Sequence, residues 1–291
     1  MTKQPNKQAS KQTAQSVILK NGLSAGQVRS FRKTVRDFYR AHRRVLPWRT
    51  THDPYQVLVS EIMLQQTQVD RVVPMYRAFI EKFPTARHLA RAPLADVLRL
   101  WSGLGYNRRA RFLQQCAQVL VAEYGGNMPR DESALRSLPG IGPYTARAVM
   151  VFAYNIPTVL IETNIRSVFL HTFYQKKKSV HDETLLPLIE QTFDRKNPRE
   201  WYSALMDYGT FLKSTYGNPN IKSAHYAKQS RFEGSRRQLR GRVLRTLLEK
   251  SANVESIAQS LEQSIDAVMA VLEQFESEKI IRKKGKTYHI A

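Results

Sequence analysis

The sequence predicts an all-α protein: a helix–hairpin–helix domain followed by a small winged-helix-like module. Three observations carry that reading. From about Ser24 onward apolar residues recur three and four apart, as in Leu58, Ile62 and the Val69, Val72 and Val73 group, while strand-like alternation is almost absent. Pro74, Pro84, Pro93, Gly103, Gly105, Gly125, Gly126, Pro139 and Gly142 punctuate the pattern into segments of ordinary helix length. In Leu138-Pro139-Gly140-Ile141-Gly142-Pro143, two glycines flank one apolar residue between two helical patterns, as a tight hairpin requires.

In chain order, residues 1–23 are polar and rich in Lys, Gln and Ser, and read as a flexible basic tail. Residues 24–216 form the many-helix domain. Residues 217–238 read as a basic linker, since nine Lys or Arg face two Glu between Lys222 and Lys250. Residues 239–291 change rhythm. Helices are expected at Leu239–Leu248, Val254–Leu261 and Ile265–Phe275, then short strands at Ile280–Arg282 and Thr287–Ile290 around Lys284-Gly285. Three helices and a basic hairpin make a winged helix, whose third helix is expected to face DNA. Glu273, Glu276 and Glu278 on that helix favour the alternative of a module that packs only on protein.

Composition narrows the partner. In 291 residues the hydrophobic share of 42% supports a sizeable core, and 46 Lys and Arg against 24 Asp and Glu give a formal charge of +22. Such a field attracts a polyanion, nucleic acid first and an anionic membrane surface second. No apolar run reaches the roughly 18–20 residues that span a bilayer, and no apolar leader opens the chain. The expectation is a DNA partner, no membrane, and a cytoplasmic location at the bacterial nucleoid. Cys116 is the single cysteine, so neither an intramolecular disulfide nor a cysteine-held cluster can form. No metal and no cofactor are expected.

The chemistry-bearing residues stand out by context. Backbone N–H groups after Gly140 and Gly142, at the helix start near Thr145, can grip a phosphate; a plain structural turn is the alternative. Glu61 interrupts the mostly apolar stretch Pro54–Val69. Alone, such a Glu is more often a surface acid than a catalyst. Glu162 sits beside Leu160 and Ile161, 20 residues beyond Gly142. Apolar surroundings raise a carboxyl pKa unless hydrogen bonds hold the charged form, and a helix cap is the structural alternative.

Leu46-Pro47-Trp48-Arg49, Asp53-Pro54-Tyr55, Val59–Val69, Trp101-Ser102-Gly103-Leu104-Gly105-Tyr106 and Leu138–Thr145 resemble the MutY-type adenine mismatch glycosylases of the endonuclease III superfamily, over roughly Ser30 to Lys213. The resemblance implies the helix–hairpin–helix DNA glycosylase fold and base excision repair of double-stranded DNA carrying a mismatch or damaged base. It also implies the site. Glu61 matches the general acid that protonates adenine at N7, and Glu162 falls where the family has an aspartate that stabilises the oxocarbenium-like sugar. Asn164 matches an active-site asparagine. Tyr144 occupies the position of the Schiff-base lysine of bifunctional relatives, and a phenol forms no imine. Gln65, Gln66 and Tyr106 match the part of the fold that opens the strand and stacks on bases, as base flipping demands. Arg108, Arg109, Lys222, Arg236 and Arg237 are the expected backbone-binding cations.

Three departures accompany the match. Glu162 is one methylene longer than the family aspartate, no cysteine follows Lys213, so an iron–sulfur cluster is not expected, and residues 239–291 do not resemble the family's reader of 8-oxoguanine. The expected activity is monofunctional removal of adenine from a mismatch with guanine or 8-oxoguanine by a monomer. The alternatives are a thymine/uracil mismatch glycosylase, a glycosylase for damaged or alkylated purines, or a catalytically silent DNA-binding protein.

Overall fold

The computed structural model describes residues 22–229 and 231–291. Of the tail expected at residues 1–23, only Gly22 and Leu23 fall among the described residues, and the Leu23 N–H donates to Gln191 Oε1 at 2.8 Å. In chain order the helices are α1 Ala25–His42, α2 Pro54–Leu64, α3 Val69–Lys82, α4 Ala86–Arg91, α5 Leu94–Trp101, α6 Arg108–Tyr124 and α7 Glu132–Ser137. There follow α8 Pro143–Phe152, α9 Thr163–Phe173, α10 Asp182–Thr192, α11 Pro198–Tyr216, α12 Arg236–Glu249, α13 Val254–Leu261 and α14 Ile265–Ser277. Strands β1 Ile281–Lys284 and β2 Thr287–Ile290 close the chain, and single 3-10 turns lie at Pro47–Arg49 and Pro219–Lys222. The fold is the expected all-α architecture, with a C-terminal winged-helix-like module.

Two compact units are each assembled from two stretches of chain. The first joins the described residues up to Val45 with Met150–Lys228 and holds α1, α9, α10 and α11. Ser24 starts α1 with a reciprocal capping box to Gln27, satisfying N–H groups that the first turn leaves open. The Phe31 ring then meets Phe169, Phe173 and Trp201 at centroid distances of 5.3, 5.4 and 6.1 Å. Just beyond α1, Arg44 donates from Nε to the buried Asp207 of α11 at 2.6 Å, and its backbone N–H donates to the same carboxylate at 3.0 Å.

The second unit comprises Leu46–Val149 and Gln229–Ala291. Its central helix α2 is buried on nearly every face, with Val57, Leu58, Val59, Ile62 and Met63 all in the core. Pro74 does not end a helix as its placement among the punctuating residues predicts; it lies inside α3. Burial of Val72, Tyr76 and Phe79 offsets the ~3 kcal/mol that an interior proline costs. Cys116 is fully buried on α6, and burial pushes its thiol up to about 12, leaving it protonated and inert.

The C-terminal module packs α12, α13 and α14 around Val243, Leu247, Ile257, Val268, Leu272 and Phe275. Its first helix starts at Arg236, before the expected Leu239, because Ser235 caps it by accepting from the Gln238 N–H. The first strand likewise begins at Ile281 rather than Ile280: Ile280 is buried directly after Lys279, whose φ of 53° turns the chain. The strands pair antiparallel with Lys284 opposite Thr287, and Gly285 turns at φ +61°. Arg99 of α5 docks the module by donating to the Leu248 carbonyl at 3.2 Å.

Candidate active site

Asp53 initiates α2 by accepting from the Tyr55 N–H at 2.8 Å, with Pro54 at the first helical position where no N–H is needed. Eight residues on, Glu61 is the only charged side chain of the helix and is 8% exposed. A carboxylic acid in that setting costs free energy that an aliphatic residue would not. The last carbonyls of α2 need partners too. Arg109, from the start of α6, supplies them: Nη1 donates to Ile62 O at 2.6 Å, Met63 O at 3.1 Å and Gln65 O at 2.6 Å. Its Nη2 donates to Thr67 Oγ1, Leu104 O and Gly105 O, each at 3.2 Å.

Arg109 is therefore a correction. Expected to meet DNA phosphates, its guanidinium is turned inward and holds α2 to the Gly103–Tyr106 loop. Burial pushes its pKa down to about 10, so it stays charged at neutral pH. The Thr145 side chain is 3% exposed and accepts from Gln65 Nε2 at 3.4 Å, so a phosphate would meet Thr145 through its backbone, as expected of the hairpin. Arg108 does face solvent, with its guanidinium 4.7 Å from the centre of the Phe112 ring.

Two candidates carry backbone strain. Gln66 and Tyr106 lie in the left-handed region at φ 53° and 47°, which side-chain-bearing residues seldom occupy and which clusters at functional sites. Tyr106 is 41% exposed, and its hydroxyl accepts from Gln229 Nε2 at 2.8 Å. In the hairpin Gly140 has φ +77°, and a Cβ there would stand 2.7 Å from Phe112 Cβ, so no other residue fits. Gly142 faces open space, as close approach of a ligand backbone requires. Tyr144, in the first turn of α8, is half-buried.

A groove of ≈ 1490 Å³ runs through this unit past Gln66, Tyr106, Arg108 and Gly140. Arg236, Arg237, Arg240, Arg242 and Arg245 of α12 line its far side, together with Gln274 of α14. The basic residues of the module that border the groove thus come from its first helix, not from the third. Arg240 is engaged by Glu278 at 2.7 Å and Arg242 by Leu261 O at 2.7 Å, while Arg236 is exposed and also donates to Ala270 O at 3.1 Å.

Glu162 and Asn164 belong to the first unit. Glu162 is the N-cap of α9, as the structural alternative anticipated: Oε1 accepts from the Asn164 and Ile165 N–H groups, both at 2.8 Å. Its Oε2 accepts from Thr163 Oγ1 at 3.0 Å and Asn164 Nδ2 at 3.1 Å. Four donors thus converge on this one carboxyl group, which sits at the positive end of a helix. Thr210 of α11 braces Asn164 by donating to Oδ1 at 3.4 Å. Gly209, beside it, is where α11 crosses: a Cβ would overlap the Asn164 carbonyl. Sequence reasoning missed Thr210, Asp207 and Lys213. Burial and the Arg44 charge hold the Lys213 ammonium below the usual lysine range, with Glu162 pulling the other way. Lys222 ends the 3-10 turn, and its carbonyl accepts from Val180 N at 2.7 Å.

Residues 59–190 match the family model for HhH-GPD superfamily base excision DNA repair proteins. An adenine DNA glycosylase of Mycolicibacterium smegmatis is 37% identical over 235 residues, which are 75% of this chain and 80% of that protein. The chain belongs to the adenine DNA glycosylases of the HhH-GPD superfamily. It is accordingly a DNA N-glycosylase. The adenine DNA glycosylase of Buchnera aphidicola subsp. Baizongia pistaciae is 36% identical over 184 residues, 62% of this chain, and the chain spans 52% of that relative. The solved structure of a thermostable thymine-DNA glycosylase is 29% identical, covers 67% of this chain and 91% of its own, and superposes with a TM-score of 0.59.

Proposed function

We propose that this chain hydrolyses the N-glycosidic bond of adenine mispaired with guanine or 8-oxoguanine, acting as a monomer, with Glu61 as general acid. The observation that carries this is the placement of Glu61: the single charged side chain of a mostly apolar, buried helix, close in sequence to Gln66, whose backbone is strained. Adenine leaves poorly until a ring nitrogen is protonated, and an acid sheltered from water can deliver that proton. The C1′–N9 electron pair goes to the purine, positive charge builds on the sugar, and water adds at C1′ and loses its proton.

Glu162 answers the developing positive charge. Its carboxylate is fixed by four donors, so it needs no reorganisation when that charge appears, which is the condition for strong electrostatic stabilisation. Tyr144 offers no amine for an imine, so the enzyme releases the base and leaves the strand intact. Gly140, Gly142 and the first N–H groups of α8 hold a phosphate, while Tyr106 and Gln66 occupy the stack when the base leaves it.

Likeness to a thymine-DNA glycosylase makes thymine the rival base. A panel of duplexes carrying adenine, thymine, uracil, hypoxanthine or an alkylated purine, opposite guanine and 8-oxoguanine, decides between them. The expected result is alkali-labile abasic sites at adenine, with no nick before alkali. Preferred excision of thymine or uracil would reject the adenine reading, since those bases depart as anions without ring protonation.

A further inference from the structure

Away from these residues, the first unit gathers three metal-ligating side chains that the proposed function does not use. His181, Glu183 and His225 each present one ligand atom, and all three atoms lie within 4.8 Å of one another. Two come from the start of α10 and the third from the chain beyond the 3-10 turn Pro219–Lys222.

Backbone structure holds the two segments together without any ion. Val180 and Ser223 form a parallel bridge: Val180 N–H donates to Lys222 O at 2.7 Å, and Ala224 N–H donates to Val180 O at 2.9 Å. The histidines therefore follow paired backbone on both strands, at Val180 plus one and Ser223 plus two. The His225 N–H is further tied to Ser223 Oγ at 3.1 Å. The imidazoles stand edge to face with centroids 5.7 Å apart. His181 occupies the N-cap position of α10, yet its ring makes no hydrogen bond to that helix. Asp182, between the two α10 ligands, is engaged by Arg166 through two 2.7 Å bonds, which leaves Glu183 as the carboxylate of the set.

We propose that His181, Glu183 and His225 bind one zinc-class divalent ion. Two imidazoles and a carboxylate form a recurrent ligand set for such ions, at roughly 2.0–2.2 Å per bond, and solvent completes the coordination at this exposed site. The rotamer adjustments needed to close from 4.8 Å are available to exposed side chains. A helix N-terminus repels a cation, but the full negative charge of Glu183 in the first turn of α10 exceeds that partial charge of about one half. Imidazole ligation differs in kind from the cysteine cluster that Cys116 alone rules out.

The ion would act as a staple. The 3-10 turn that precedes His225 carries Asn220, whose buried amide donates to Thr163 O at 3.0 Å and Ser167 Oγ at 2.6 Å of α9. Tying His225 to α10 therefore also fixes the support beneath the first turn of the helix that Glu162 caps. The staple itself rests on no assignment of the excised base.

The test uses the untagged full chain, stripped with chelator and titrated with ZnCl2 in a calorimeter, with elemental analysis of the dialysed protein. One equivalent of zinc per chain is expected, with a Tm raised by about 5 °C at ~100-fold excess over Kd. His225→Ala and His181→Ala should each weaken binding by about 100-fold or more, at or above the upper end of what loss of an outer-shell partner costs, while His88→Ala leaves it unchanged. Hydrogen exchange across 219–225 should slow on zinc addition in the wild type only. Absence of stoichiometric binding, or binding that survives in the His181→Ala/His225→Ala double variant, would overturn the proposal. Neither result bears on which base is excised, so the two readings fail separately.

Discussion

Because Glu162 caps α9 and is also assigned the electrostatic task at the sugar, only a substitution that keeps its oxygen while removing its charge separates the two roles. Glu162→Gln does so. Its amide oxygen can still accept from Asn164 and Ile165 N–H, so Tm should move by no more than a few degrees, whereas single-turnover excision should fall by about 10²-fold or more. A variant that excises normally would reduce Glu162 to a cap. Arg109 is the converse case, a charge whose work is structural. Lys cannot reproduce a fork that bonds six acceptors, so Arg109→Lys should cost about 2–3 kcal/mol in urea unfolding. That role was illegible in the sequence. Arg108 and Arg109 are adjacent and chemically identical, and only the direction in which α6 presents each one decides that the first meets solvent and the second the end of α2.

At the scale of elements, the geometry of Glu162 and Asn164 depends on how closely α11 approaches α9, and Gly209 sets that distance. Gly209→Ala should overlap the Asn164 carbonyl, cost about 1–3 kcal/mol, and lower excision further than the lost stability explains. Thermal melts alongside single-turnover rates would check it; an alanine variant with normal excision would show that the contact is slack. Helices were largely legible because their apolar stripes repeat at a period that few other structures share, and α13 begins and ends at Val254 and Leu261 as its pattern predicts. Ends set by side-chain caps were harder: Ser235 moves the start of α12 ahead of its first apolar residue. Burial alone does not make an acid a catalyst: Asp207, on a helix that also carries Arg199, Glu200 and Lys213, is buried like Glu61 yet is bound to Arg44. A buried acid thus marks a sheltered charge and not its task; the task proposed for Glu61 rests on the order of the family's motifs. The His181, Glu183 and His225 set left no such trace, since its members are brought together only by the bridge between Val180 and Ser223.

For the whole molecule, the charge of +22 should dominate DNA affinity. Released counterions make log K fall linearly with log salt, and a slope of about −5 or steeper is expected from fluorescence anisotropy, corresponding to six or more phosphate contacts. A flat dependence would mean that the arginines bordering the groove, Arg236 and Arg237 included, do not meet the backbone. Stability should carry its own pH signature through Asp194. Burial opposes its ionisation, but the hydrogen bond and charge of Arg36 outweigh burial and hold the carboxyl below its ordinary 3.8. A depressed carboxylate stabilises fully above the unfolded value and loses that contribution as pH falls through the lower folded value. Asp194→Asn should therefore lower Tm at pH 7, with the difference from wild type closing below about pH 4. Above these stands the claim that Glu61 supplies a proton to adenine. Its most direct test is adenine release under single-turnover conditions from a duplex with adenine opposite 8-oxoguanine, comparing wild type with Glu61→Gln at protein concentrations that saturate both. The account predicts unchanged DNA affinity and a rate reduced by about 10²–10⁴-fold, the range assigned to general acid catalysis; full excision by Glu61→Gln would contradict it.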